Sequence, residues 1–206
     1  MGKKVLLTEP IQPIGIDILK KQVEVVIAPN PEPNTIESMI KDFDGLISRN
    51  TYIGEAILSK AKKLKVIASH GVGTDHIDIC AATKHGVFVV NTPGANAQSV
   101  AEAVIGLLLS ICRKICEGNN ALKIYNDFYH RHKCLGTDLY SKTIGIIGMG
   151  NIGRKLANIC IQGFKMRVIY YDPFVEQEKI GDENVVKVEK LDDIFIHSDF
   201  VSLNCP

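Results

Sequence analysis

From the N-terminus to Asn91, short aliphatic runs alternate with stretches of helical period. Lys4–Leu7, Glu24–Ala28, Gly45–Ser48, Lys65–Ser69 and Val87–Val90 are brief and apolar, which reads as strands. Between them, residues 13–21 carry Ile14, Ile16, Ile18 and Leu19, and residues 34–40 carry Ile36, Met39 and Ile40 behind Asn34–Thr35 as a candidate cap. Ile53–Ala61 and Asp75–Lys84 complete the expected helices. Strands alternating with helices predict a parallel sheet covered on both faces, a doubly wound α/β domain ending near Asn91.

Thr92-Pro93-Gly94-Ala95-Asn96 is a turn cluster and the expected domain boundary. Asn96 is placed to cap a long helix with Val100, Val104, Leu107, Leu108 and Ile111 along one side. Residues 117–142 are polar and irregular, a helix fading into loop. The pattern then restarts: strand Thr143–Ile147, glycine turn Gly148–Gly153, helix Ile152–Gly163, strand Arg167–Tyr171, a weak helix, and strand Phe200–Asn204. That is one βαβαβ half of a mononucleotide-binding fold. Such a half sheet leaves an exposed edge and uncovered apolar surface.

Composition narrows the classes. Lys and Arg number 24 against 23 Asp and Glu, so the net charge of +1 gives a phosphate-backbone binder no basic excess. Apolar residues are 46% and charged residues 23%, the balance of an ordinary globule. The longest apolar run, Ala103–Cys112, is about half of what spans a bilayer. The opening Met1-Gly2-Lys3-Lys4 leads straight into a strand rather than a secretion signal. Cysteines 80, 112, 116, 134, 160 and 205 are scattered, mostly in apolar stretches, which reads as reduced thiols packed in cores. A cytoplasmic protein is the expectation, with neither nucleic acid nor membrane as partner.

The most informative motif is Gly148-Met-Gly150-Asn-Ile-Gly153, set between an expected strand and an expected helix. Gly148 permits the sharp turn, Gly150 permits backbone approach to a pyrophosphate, and Gly153 lets the helix lie close to the sheet. The phosphates would face a helix N-terminus, where free N–H groups and the dipole favour negative charge. Asp172 ends the next strand about twenty residues further on, where an acid grips the ribose hydroxyls of NAD and repels a 2′-phosphate. NAD is therefore favoured over NADP.

With these residues in view, the chain resembles the D-isomer-specific 2-hydroxyacid dehydrogenases, and its wording is similar to their phosphoglycerate dehydrogenase-like members. His70-Gly-Val-Gly-Thr-Asp-His-Ile-Asp78 looks like the family's glycine loop, and Asn91-Thr-Pro-Gly-Ala-Asn-Ala-Gln-Ser-Val-Ala-Glu102 like its interdomain hinge. The segment from Lys142 to Pro173 looks like its NAD fingerprint. The resemblance implies a flavodoxin-like substrate domain over residues 1–96 and an incomplete Rossmann NAD-binding domain over 97–206. It implies that the amides of Val72 and Gly73 face the substrate carboxylate and nicotinamide, that Asn151 and Ile152 lie against the pyrophosphate, and that Asp172 holds the adenosine ribose. Cys205 and Pro206 would line the cofactor cleft, and Val100 would touch the nicotinamide. A homodimer built on the helix after Asn96 is also implied. Two departures stand out: Asn151 where an Arg is common, and Gly163-Phe-Lys-Met166 where Phe-Gly-Met is usual.

The implied activity is hydride transfer between NAD(H) and a D-2-hydroxy acid or its 2-oxo acid, with substrate in a cleft between the domains. Its catalytic Arg, acid and His are expected beyond Pro206, so no catalytic residue is assigned and the chain alone is expected to be inactive. The alternative is a non-catalytic NAD-binding sensor or scaffold. His70 and His76 flank the glycine loop but read as surface or helix-cap histidines, and Arg49, after the third strand near the expected cleft, could lend a positive charge; neither is assigned as a replacement catalytic set. His130, His132 and Cys134 alternate as metal ligands might, without a second pair, so a solvated loop is the default and no metal is assigned. Cys112 and Cys116 lie one helical turn apart, and Asp182, Glu183, Lys187, Glu189 and Lys190 read as a solvated face.

Overall fold

The computed structural model describes residues 2–177 and 184–205; Pro206, Asp182 and Glu183 lie outside them. The chain divides into two compact units, Met1–Ala95 and Asn96–Pro206.

The first unit has strands β1 (Lys4–Leu7), β2 (Glu24–Ile27), β3 (Gly45–Ser48), β4 (Val66–Ser69) and β5 (Phe88–Val90) in the order β2-β1-β3-β4-β5. Every pairing is parallel. This is the flavodoxin-like order, whose winding reverses between β1 and β3. Helices α1 (Pro13–Lys20), α2 (Pro33–Met39), α3 (Glu55–Lys60) and α4 (Ile79–Lys84) cover the sheet. The core draws on Leu6, Leu46 and Ile67 from the strands and Ile36, Ile57 and Ala82 from the helices, all essentially inaccessible. Two starts differ from expectation. Asn34 does not cap α2, because Pro33 at its first turn presets the helical φ and the cap position falls on Glu32. Helix α4 begins only at Ile79: the Asp78 carboxylate accepts the Ala81 N–H at 2.9 Å, while Ile77 upstream is held in a bridge to Ile53.

The second unit opens with α5 (Ala97–Cys112) and α6 (Ile115–Lys123), followed by a 3-10 turn over Phe128–Lys133. Asn96 occupies the cap position of α5, but its ψ of 1° is outside the extended region and its side chain makes no cap bond. Beyond these lie β6 (Thr143–Ile147), α7 (Asn151–Phe164), β7 (Arg167–Tyr171), β8 (Val185–Lys187), α8 (Leu191–His197) and β9 (Phe200–Leu203). The sheet runs β8-β7-β6-β9, again all parallel, as in the first four strands of a Rossmann sheet.

Here the structure corrects the simple βαβαβ reading, because β8 is an additional strand. Its three residues were too few to show a period, and tertiary pairing with Val168, Ile169 and Tyr170 creates it. Lys187 is accordingly not on a solvated face: its N–H donates to Gln177 Oε1 at 2.6 Å, its side chain is only 16% exposed, and it pairs with Glu176. The apolar stripe of α5 also splits. Ala101, Val104, Leu108 and Cys112 pack inward as α5 meets α7, while Leu107 and Ile111 are 66% and 73% exposed. Of the cysteines only Cys112 and Cys160 are buried; Cys80, Cys116 and Cys205 are exposed and Cys134 is half-buried. Burial pushes the Cys160 thiol up to about 12. Among the described residues, no helix is long and apolar enough to cross a membrane.

Candidate nucleotide and carboxylate sites

The glycine turn sits where β6 passes into α7, wedged between the carboxyl ends of β7 and β9. Gly148 has φ +94°, a conformation side chains rarely adopt, and its N–H donates to Tyr171 O at 3.0 Å. A Cβ there would stand 2.7 Å from Cys205 N and 2.9 Å from Asn204 C, so no larger residue fits. A Cβ on Gly153 would run into Gly148 O, which is why the helix can lie so close to the turn. Gly150 is different: nothing lies within 4 Å of where its Cβ would be. Its side of the turn is open to an incoming group. The first N–H satisfied within α7 is that of Arg154, on Gly150 O at 3.0 Å, and the first-turn donors of Asn151, Ile152 and Gly153 have no acceptor among the described residues. A pyrophosphate therefore fits these residues on both steric and electrostatic grounds.

Asp172 is buried at the end of β7. Its Oδ2 accepts the Met149 N–H at 2.8 Å, and its Oδ1 accepts those of Phe174 at 2.8 Å and Val175 at 3.2 Å. Burial by itself raises the carboxyl pKa, but the three backbone donors outweigh it and hold the group below its usual range. The carboxylate thus stays ionised and ties the glycine turn to the neighbouring strand end. Met149 is clamped from the other side as well, since Arg154 Nε donates to Met149 O at 3.2 Å. Sequence reasoning did not single out Met149 or Arg154, because their part is played by backbone atoms and by a side chain one helical turn away.

In the first unit, Val72 and Gly73 lie in the loop that leaves β4, at the carboxyl end of the sheet. Both are exposed, and no described residue accepts their N–H groups. A Cβ on Gly73 would come 3.1 Å from Asp75 Oδ2. The structure brings Gly148, Gly150, Asn151, Ile152, Gly153, Asp172 and Cys205 together around one turn; Val72 and Gly73 belong to the other unit, and Val100 sits half-buried in the first turns of α5.

His70 and Arg49 are exposed, whereas His76 Nε2 is buried with no hydrogen-bond partner among the described residues. His130, His132 and Cys134 fall in and after the 3-10 turn, and among the described residues no three His, Cys, Asp or Glu side chains are placed to hold a metal.

The family model for the D-isomer specific 2-hydroxyacid dehydrogenase catalytic domain matches residues 5–179. The D-3-phosphoglycerate dehydrogenase of Methanocaldococcus jannaschii is 37% identical over 98% of this chain and 38% of its own length. Among solved structures, the NAD+-bound 3-phosphoglycerate dehydrogenase of Entamoeba histolytica superposes with a TM-score of 0.77 at 29% identity, over all of this chain and 63% of its own. The Aquifex aeolicus D-lactate dehydrogenase complexed with NAD and lactic acid gives a TM-score of 0.83 at 25% identity, over 99% of this chain and 61% of its own. The chain spans well under half the length of the curated relatives it matches.

Proposed function

Because this chain belongs to the D-isomer specific 2-hydroxyacid dehydrogenase family, we propose that it carries the cofactor- and carboxylate-binding parts of an NAD-dependent dehydrogenase of D-2-hydroxy acids. In this reading the Met1–Ala95 unit is the substrate domain and the Asn96–Pro206 unit the NAD-binding domain. The observation that carries it is the glycine turn. Its one unobstructed glycine, Gly150, faces open space beside the free first-turn amides of α7, with an ionised Asp172 bonded to the same turn.

Gly150, Asn151, Ile152 and Gly153 would hold the pyrophosphate. Asp172 would meet the adenosine ribose with the acceptor capacity its three backbone bonds leave, and a negative charge there disfavours a 2′-phosphate. Cys205, beside Gly148, would line the adenosine side, with Pro206 next to it and Val100 against the nicotinamide. When bound, the nicotinamide supplies or takes up the hydride at C2 of the acid. The amides of Val72 and Gly73 would orient the carboxylate, which fixes which face of C2 is presented. We place the carboxylate-binding cation and the proton donor of that reaction in the part of the relatives' length that this chain does not cover. The six free thiols suit a reducing compartment, which we take to be the cytoplasm.

The test is an NADH titration followed by fluorescence, with Asp172→Ala and NADPH as comparisons, and then a panel of 2-oxo acids given to the natural protein with NADH. Saturable NADH binding, about tenfold weaker binding of NADPH or of D172A, and turnover of a 2-oxo acid are expected. Absence of NADH binding sinks the reading. Binding without turnover of any 2-oxo acid leaves a nucleotide-sensing module instead.

A further inference from the structure

We propose that Asn91 and Thr92, with Ser69, are positioning residues that aim the amides of the Gly71–Gly73 loop at a bound carboxylate. The inference rests on reading that loop as the carboxylate seat and adds how the seat is held. Each carbonyl of the loop has its own donor. Gly71 O accepts from both the Thr92 N–H and the Thr92 hydroxyl, each at 3.0 Å. Val72 O accepts from Asn91 Nδ2 at 2.7 Å, and Gly73 O accepts from the Ser69 hydroxyl at 2.6 Å.

A trans peptide holds its C=O and its N–H on opposite edges of one plane, and no cis bond occurs among the described residues. Fixing the Gly71 carbonyl therefore aims the Val72 N–H, fixing the Val72 carbonyl aims the Gly73 N–H, and fixing the Gly73 carbonyl aims the Thr74 N–H. None of these three donors is accepted by a described residue. The loop thus turns its acceptors inward to neighbouring side chains and leaves a row of donors facing out, the arrangement an anion requires. Hydrogen bonds to a carbonyl also polarise the N–H of the same peptide, so the pinned amides are better donors than free ones.

The sheet explains why these residues are available. Strand β5 runs parallel to β4 with Ala68 opposite Val90, so the residues just past β5, Asn91 and Thr92, arrive beside the residues just past β4. Ser69, the last residue of β4, is itself buried and reaches forward over the turn. Among the described residues, Asn91 and Thr92 make no other side-chain hydrogen bond, which distinguishes a device for the loop from general packing.

The experiment uses the 15N-labelled chain titrated with oxalate, a small dicarboxylate that mimics a 2-oxo acid, with NADH binding and the thermal midpoint measured on the same samples. Oxalate is expected to shift the amide resonances of Val72 and Gly73. Asn91→Ala and Thr92→Val are expected to weaken oxalate about five- to tenfold, the loss of one hydrogen bond each. NADH affinity and the thermal midpoint should hold, and Thr92→Ser, which restores the hydroxyl, should bind oxalate like the wild type. Oxalate affinities of N91A and T92V equal to the wild type overturn the proposal, as does a parallel loss of NADH affinity or of the thermal midpoint. If oxalate shifts neither Val72 nor Gly73 in the wild type although NADH binds, the carboxylate seat itself is wrong and the positioning role falls with it.

Discussion

Lys165 shows what a single position contributes. It ends α7 with φ +53°, and its N–H donates to Ile161 O at 3.1 Å, which closes the helix as an αL cap, while Met166 N–H reaches back to Cys160 O at 3.1 Å. The backbone here needs the left-handed conformation that glycine adopts freely, while Gly163 sits two residues too early, inside the helix. The side chain of Lys165 is exposed, so nothing is lost with it. Lys165→Gly is expected to stabilise the chain by about 0.5–1 kcal/mol, the relief of left-handed strain less the added freedom of the unfolded chain. A higher urea midpoint with an unchanged slope checks this, and an unchanged or lower midpoint counts against it. At the glycine turn the demand is steric as well: Gly148 and Gly153 are fixed by backbone neighbours, Gly150 by what must approach it. The motif announces all three glycines alike, and only their surroundings separate the two that shape the turn from the one that leaves room.

The two sheets start in the same way. Asp44, just before β3, accepts the N–H of Lys4 at 2.9 Å and pairs with Lys3 at 2.7 Å. Asp199, just before β9, accepts the N–H of Thr143 at 2.8 Å and pairs with Lys142 at 3.3 Å. Each aspartate satisfies the orphan donor at the head of its unit's first strand and so pins the register of a parallel pair. The Lys3 side-chain bond first, then the Lys4 N–H, hold Asp44 below the usual carboxylate range; for Asp199 the Thr143 N–H comes first, then Lys142. A lowered folded-state pKa stabilises the fold above the unfolded value, and that stability is lost as pH falls through the folded one. Stability should therefore decline below about pH 4. Asp44→Asn and Asp199→Asn should lower the thermal midpoint at neutral pH and flatten its acid dependence, each through its own unit. A midpoint–pH curve identical to the wild type would remove the device from the account.

At the scale of the whole molecule, the largest unexplained feature is apolar surface. Leu107, Ile111 and Ile115 continue outward along α5 and α6, and Tyr125, Phe128 and Tyr129 follow, all more than half exposed. A separate groove of about 630 Å³ runs along β5 and α4, lined by Ile79, Phe88 and Val90. Exposed apolar side chains grouped along one stretch of chain are the kind of surface that association buries. We propose a second copy of the chain as its occupant: the exposed ridge carries the half of the α5 stripe that the fold does not use. Leu107→Glu with Ile111→Glu is expected to convert a dimer to a monomer in sedimentation while leaving the urea midpoint of a dilute sample unchanged. A wild-type chain that sediments as a monomer at high concentration would end that assignment.

The sequence by itself determined the alternation of strand and helix, the two parallel units, the glycine turn and the acid at the end of the following strand. These are local patterns: a few aliphatic residues make a strand, a period of 3.6 makes a helix face, and glycine at fixed spacing makes a turn. Tertiary structure decided the rest. It made a strand of Val185–Lys187 by pairing it with β7, and it turned half of the α5 stripe outward by packing the other half on α7. It brought the Met149 N–H of the glycine turn to the Asp172 carboxylate before any ligand arrives. It also brought Asn91 and Thr92 beside the Gly71–Gly73 loop. Each depends on atoms distant in the chain that meet only when sheets assemble, and no local pattern encodes where a parallel neighbour will end.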